Sequence, residues 1–342
     1  MPSLRTHITE LGTALGMRHE SIGEAIGMPH QNVGIAGVSA DVWDELRAAA
    51  DDQRDRDLFE KAFENGRFFR ESILGRPARR IEWRGSRKQV FHHDLPVDLR
   101  VDDVYHISCK YASRVLQNPS PHALFVDLLS KKRSRAPNWY GQVAPQELQA
   151  FYAACRDSLK GTLNLPEEQA QISGGERRQL SGCLHPFPAR LAQPYAALCR
   201  AVSDASACQW RSSIQQEAGA DTHLLWRLMR ISSVPYYVLG AGKASSASNS
   251  YRAIRLKVAS TDDWKQSFRL KSFTILTLDN PGQPRVEWTA EVQGEADLST
   301  IKGHVEVRWS HGKFCGACEA KVYLDTPMSD VPGYSDLDRN TP

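Results

Sequence analysis

The sequence predicts an α+β protein, with helical patterns over most of its first 230 residues and short strands over most of the remainder. Three observations carry this expectation. Apolar residues recur at helical spacing, most plainly at Leu148, Phe151, Tyr152, Cys155 and Leu159. A set of short strand-like runs interrupts the helical part between residues 80 and 108. From about Val234 the period changes to two, as half-buried antiparallel strands require.

In order, the first fifty residues read as short helices, with apolar residues at Ile22, Ala25, Ile26 and Val33 and again at Val42, Trp43, Leu46 and Ala49. This stretch resembles a helix-turn-helix, but Gly34 and Gly37 cut the would-be recognition helix short, which favours a small helical cap or a partner-docking module. Residues 51–75 form one charged helix that stops at Gly75-Arg76-Pro77. Strands follow at Arg80–Arg84, Leu95–Val101 and Val104–Ser108, then a helical stretch from Ser113. Ala144–Leu159 is a helix with Pro145 in its first turn. Residues 165–190, polar and rich in Gly and Pro, read as a linker, and Tyr195–Val202 and Leu224–Met229 as further helices. Beyond them alternate Ile254, Leu256 and Val258; Val286, Trp288 and Ala290; Val305, Val307 and Trp309; and Ala320, Val322 and Leu324. The polar tail after Pro327 is expected to be loose.

At 342 residues, 41% hydrophobic and 24% charged, the chain suits a globular protein of two domains, or of one with an appendage. No apolar run reaches the roughly 18 residues of a membrane span, and the start MPSLRTHITELG lacks a secretory apolar stretch, so a cytoplasmic location is expected. Seven scattered cysteines are no disulfide framework and fit a reducing compartment. The net charge of +3 decides nothing, but its distribution does. Between Arg67 and Lys88 lie eight basic residues, including Arg79, Arg80, Arg84, Arg87 and Lys88, against Glu71 and Glu82. A second run, Lys131, Lys132, Arg133 and Arg135, follows about forty residues later. Such clusters are often only solvated faces. Here they bracket one motif-bearing segment, which points to a polyanionic partner whose phosphates they would neutralise.

That segment runs ENGRFFRES, RRIEWRGS, DLPVDLRVDDVYHISCKY: a helix bearing Glu71, a strand, a strand carrying Asp98, and a strand ending in Lys110. It resembles the PD-(D/E)xK nuclease superfamily, with Pro96-Val97-Asp98 at the "PD" position and Ser108-Cys109-Lys110 at the "(D/E)xK" position. The resemblance covers some seventy residues and implies a restriction-endonuclease-like mixed αβββα core. It also implies Asp98 as the main ligand of Mg²⁺ or Mn²⁺, Glu71 as a second carboxylate, and Lys110 orienting the attacking water. Hard divalent cations prefer such oxygen donors and keep waters for reaction. Ser108 and Lys110, two apart on a strand, share a face. Ser108 departs from the family pattern, since a hydroxyl is a weaker ligand than a carboxylate; Asp94, Asp103 and Glu82 are the nearby acids able to compensate.

Rival motifs lie further on. Glu319-Ala320-Lys321, with Glu306 before it, matches E-x-K literally, though cross-strand charge pairing explains it without catalysis. Cys315 and Cys318 with His304 and His311 have a composition suited to Zn²⁺, but irregular spacing. Ser173-Gly174-Gly175-Glu176 looks like a fragment of an ABC-ATPase signature, yet no G-x-x-x-x-G-K-[ST] accompanies it, which excludes nucleotide hydrolysis of that type. The domain plan expected is a small helical module over 1–50, a nuclease core over 51–165, a linker with helices over 166–230, and a β-rich recognition domain over 231–342. Trp288, Trp309 and His311 are its candidate base contacts, although a Trp in a sheet is more often a core residue. The function expected is metal-dependent cleavage of DNA in restriction or anti-phage defence, with a partner ATPase or other defence protein and homodimerisation left open. The alternative is a non-catalytic nucleic-acid-binding or adaptor protein, which Ser108 favours.

Overall fold

The computed structural model describes residues 4–85, 95–111, 115–127, 138–243, 251–279 and 282–338. Helices α1 (Leu4–Gly16), α2 (Ile22–Gly27), α3 (Ala40–Asp51) and α4 (Gln53–Phe69) come first, with strand β1 (Ile35–Ala36) between α2 and α3. Strands β2 (Ile81–Trp83), β3 (Leu99–Val101), β4 (Tyr105–Tyr111) and β5 (Val115–Gln117) follow. Next come α5 (Pro121–Phe125), α6 (Trp139–Val143), α7 (Pro145–Ser158), α8 (Gly174–Cys183), α9 (Ala192–Gln216) and α10 (Ala220–Leu228). The last part holds β6 (Tyr236–Lys243), β7 (Tyr251–Val258), α11 (Thr261–Ser267), β8 (Arg269–Thr277), β9 (Arg285–Gln293), β10 (Leu298–Trp309), β11 (Cys318–Leu324) and β12 (Tyr334–Asp336). The protein is α+β, and no helix among the described residues is long and apolar enough to cross a membrane.

Two compact units divide the chain, and neither follows the expected domain plan. The first comprises Met1–Arg114, Arg230–Ser267 and Met328–Pro342; the second comprises Val115–Met229 and Phe268–Pro327. Strand pairing is the reason. β4 pairs in parallel with β6, Ile107 opposite Tyr237 and Lys110 opposite Gly240, which ties the chain after residue 230 to the early meander. β5 pairs instead with β11, so the strand after β4 belongs to the second unit. Alternation identifies a strand, but it does not name the partner.

The first unit is built on a seven-stranded mixed sheet in the order β1-β2-β3-β4-β6-β7-β12. α4 presents Leu58, Phe59, Ala62, Phe63, Gly66 and Phe69 on one face, the spacing of an amphipathic helix. α1 is buried on nearly all sides from His7 to Gly16. Their apolar residues join Ile81, Leu99, Val101 and Ile107 of the sheet in one core. The two helices meet at glycines: a Cβ on Gly66 would collide with the Thr13 carbonyl, and one on Gly16 with the Phe63 carbonyl. Asn65, fully buried, ties α4 to the sheet by donating to the Gly240 carbonyl at 2.8 Å and accepting from Arg255 Nε at 2.9 Å. The tail is not loose over its described part. β12 pairs with β7, Tyr334 is buried, and Asp338 meets Arg255 at 3.0 Å.

The second unit holds a five-stranded antiparallel sheet in the order β5-β11-β10-β9-β8. On β9, Val286, Trp288, Ala290 and Val292 are buried while Glu287, Thr289 and Glu291 are half-exposed, the alternation expected of a sheet covered on one face. α9 runs well past the predicted Tyr195–Val202 and buries Tyr195, Leu198, Cys199, Val202 and Trp210. The stretch read as a linker contains α8, and Ser173-Gly-Gly-Glu176 is its N-terminal cap. There Ser173 Oγ accepts from the Glu176 N–H, and Glu176 Oε2 accepts from the Ser173 N–H.

Candidate active site

Asp98 stands just before β3, at the point where β2, β3 and β4 run side by side. Its backbone N–H donates to the Ile107 carbonyl at 2.8 Å, and its carbonyl accepts from the Arg84 N–H at 3.0 Å. The β3–β4 turn is made by Asp102 and Asp103, both left-handed at φ 50 and 61. Asp102 Oδ1 accepts from the N–H groups of Arg79 and Arg80, so Asp102 is a structural acid. The turn returns the chain antiparallel, with Leu99 opposite Ile107, and brings the next residues of β4 to Asp98. The Cys109 N–H donates to Asp98 Oδ2 at 2.6 Å, and Ser108 Oγ donates to the same oxygen at 3.4 Å. β4 extends through Tyr111, so Ser108 and Lys110 share the face opposite Ile107, Cys109 and Tyr111. Gly240, paired with Lys110, has no side chain, and a Cβ there would strike the Lys110 carbonyl and Cβ.

A second carboxylate arrives from α1. Glu10 is buried, and Trp83 Nε1 of β2 donates to its Oε2 at 2.6 Å. Desolvation raises its pKa from 4.5 to about 7, and the Asp98 charge adds to the rise. Asp98 is likewise raised by desolvation, against the opposing effects of the Cys109 N–H, Lys110 and Arg230. Lys110 is lowered from 10.5 to about 8, first by desolvation and then by the Arg230 charge, while Asp98 works the other way. Asp98 thus interacts with Glu10 on one side and with Lys110 and Arg230 on the other, with the acids pushed toward protonation and the lysine toward neutrality. Burial also raises the Cys109 thiol well above its usual range, which leaves it a strand residue rather than a nucleophile.

Of the residues proposed from sequence, Asp98, Ser108 and Lys110 come together and Glu71 does not. α4 ends at Phe69, and a π-helical turn over Arg70–Leu74 carries Glu71 outward. There its side chain is 60% exposed and pairs with Arg70 at 3.6 Å and Arg67 at 3.9 Å. The acid that interacts with Asp98 is instead Glu10. Among the acids expected to compensate for Ser108, Glu82 lies 4.0 Å from Arg84, Asp103 pairs with Arg80 at 3.4 Å and Arg100 at 3.5 Å, and Asp94 lies outside the described residues. Arg79 and Arg80 are exposed, whereas the Arg84 side chain is largely buried. Arg87, Lys88, Lys131, Lys132 and Arg133 lie outside the described residues.

Glu10 and Arg230 were missed because both lie outside the seventy-residue motif segment. One signal for Glu10 was present: in LRTHITELGTALG it is the single acid, and no Lys or Arg stands three or four positions away. An unpaired acid on a mostly apolar helix needs a partner elsewhere.

In the second unit the rival motifs resolve into structural roles. Glu306 stands opposite Lys321 and Arg308 opposite Glu319, a ladder of cross-strand charge pairs. The zinc grouping is pulled apart by register. His304 faces Tyr323, five residues along β11 from Cys318, a separation of roughly 16 Å at strand rise. His304 Nδ1 pairs with Asp325 at 2.8 Å, and His311 Nδ1 with Ser310 Oγ at 2.8 Å. Trp288 is buried, and Trp309 stacks on Tyr140 at 3.9 Å, so both are core residues rather than base contacts.

Among the described residues no group of three or more His, Cys, Asp or Glu side chains is arranged to hold a metal ion. Asp98 and Glu10 nonetheless form a fitting donor pair for Mg²⁺, which is commonly held by one or two carboxylates together with substrate oxygens. Their mutual electrostatic strain is of the kind a divalent cation relieves. No family model, curated protein or solved structure matches the chain, so what this site does is read from its geometry.

Proposed function

We propose that the first unit is a restriction-endonuclease-like core of the PD-(D/E)xK type that hydrolyses DNA phosphodiester bonds with Mg²⁺ or Mn²⁺, in restriction or anti-phage defence. The observation that carries this reading is that Asp98 interacts both with Lys110 of the neighbouring strand and with the buried carboxylate of Glu10 on α1. Element order supports it: helices precede the β2-β3-β4 meander, and β6 lies parallel to β4.

Asp98 and Glu10 would hold the cation, which when bound supplies a Lewis acid at the scissile phosphate. Lys110, with its pKa near 8, is mostly protonated at neutral pH and neutral in a minority of molecules. Its Nζ can therefore hold a water by hydrogen bonding and accept a proton from it. Arg230 adds fixed positive charge beside Asp98 and Lys110, where a phosphate would sit. Ser108 supports Asp98 by donating to it, and Glu10 supplies the acid that Ser108 does not.

The test is nicking and linearisation of plasmid DNA, unmodified and modified, with Mg²⁺ or Mn²⁺. Cleavage by the wild type, lost by at least a hundredfold in Asp98→Ala, Glu10→Gln and Lys110→Ala, is the expected outcome. Cleavage that survives these changes would move the chemistry elsewhere. Ser108 keeps a second reading in view, a non-catalytic nucleic-acid-binding or adaptor protein. It would bind DNA with steep salt dependence and leave it intact with either metal.

A further inference from the structure

We propose that Trp83 is a positioning residue of this site: its indole N–H anchors one carboxylate oxygen of Glu10 and so prepares the other for a divalent cation. The cation rests on the nuclease reading, whereas the anchoring rests on geometry alone. The bond from Trp83 Nε1 to Glu10 Oε2 is 2.6 Å long. An indole has a single N–H and no acceptor, so it can serve only an oxygen lone pair, and it commits Oε2. Among the described residues Trp83 alone donates to Glu10.

The ring is held in turn. His7, one turn before Glu10 on α1, meets it edge-on with centroids 5.5 Å apart and planes at 89°. His7 Nδ1 pairs with Glu45 Oε2 of α3 at 3.1 Å. Three elements therefore fix one carboxylate: α3 holds His7, His7 packs against Trp83, and Trp83 holds Glu10. A ligand ordered before the cation arrives loses less conformational freedom on binding, and such supporting partners typically change metal affinity by about 10–100-fold.

The experiment uses the full chain and Mn²⁺ alone as the probe. Trp83→Phe keeps an aromatic side chain at this position and removes the N–H, together with one ring of the indole. Its Mn²⁺ dissociation constant, measured by electron paramagnetic resonance, is expected to rise by about tenfold with the far-ultraviolet circular dichroism unchanged. In the ¹⁵N-labelled wild type, the Trp83 indole N–H resonance, assigned by Overhauser contacts to His7, is expected to shift on adding Mg²⁺. A folded Trp83→Phe protein that binds Mn²⁺ as the wild type does would overturn the proposal. So would an indole resonance unmoved by saturating Mg²⁺, a readout that remains if the variant does not fold. A wild type that binds Mn²⁺ more tightly than Trp83→Phe yet cleaves no DNA would sink the nuclease reading and leave this one standing.

Discussion

Glu10 and Lys110 are perturbed in opposite senses, and their effects on stability therefore run in opposite directions along the pH scale. Glu10 has its folded pKa raised from 4.5 to about 7, so its contribution is fully present below 4.5 and is lost as pH rises through 7. Asp98, also raised, adds to the same trend. Lys110 is lowered from 10.5 to about 8, so its contribution is present above 10.5 and is lost as pH falls through 8. Stability from this site should accordingly reach its minimum between about pH 7 and 8, the range in which the carboxylates and the ammonium are charged together. Urea denaturation across the pH range tests this. Glu10→Gln should flatten the acid-side slope, with a change on the order of 3 kcal/mol. An unchanged slope would mean that Glu10 is not perturbed.

α1 and α4 are held close by the absence of side chains rather than by their presence. A Cβ at Gly66 would meet the Thr13 carbonyl and the Met17 N–H, neither of which can rotate away. Gly66→Ala should therefore separate the two helices and cost about 1–3 kcal/mol, the usual penalty of overpacking. Gly23→Ala on α2, where nothing lies within 4 Å, is the matched control and should be near neutral or slightly stabilising. Equal unfolding midpoints for the two variants would refute the close crossing. The same crossing places Glu10, and this explains why the motif segment alone yielded only part of the site. Asp98, Ser108 and Lys110 were legible because a short hairpin relates them, and hairpin register is a local property. Glu71 lies away from Asp98 because a π-helical turn follows α4, and nothing in the apolar spacing of residues 51–75 signals that change of phase.

Across the whole molecule, the two units are interleaved along the chain: the first is resumed at Arg230 and again at Met328. The C-terminal segment is accordingly part of the first unit's fold. β12 pairs with β7, Val331 and Tyr334 are buried, and Gly333 holds φ 93 beside the Trp264 ring. Removing residues 328–342 should lower the melting temperature, since burying one large apolar side chain contributes roughly 1.5–3 kcal/mol. A truncated chain that melts like the full one would show the tail to be dispensable.

From sequence alone, this protein's α+β class, most of its helices and strands, and the Asp98–Lys110 hairpin could be read, because each depends on residues near one another in the chain. Only the tertiary structure decided which strands pair, which acid joins Asp98, and that His304 stands apart from Cys318. These depend on contacts between residues as distant as Glu10 and Asp98, or Lys110 and Gly240, and on strand register. Hydrophobic periodicity shows that a face is buried, but it carries no information about what buries it.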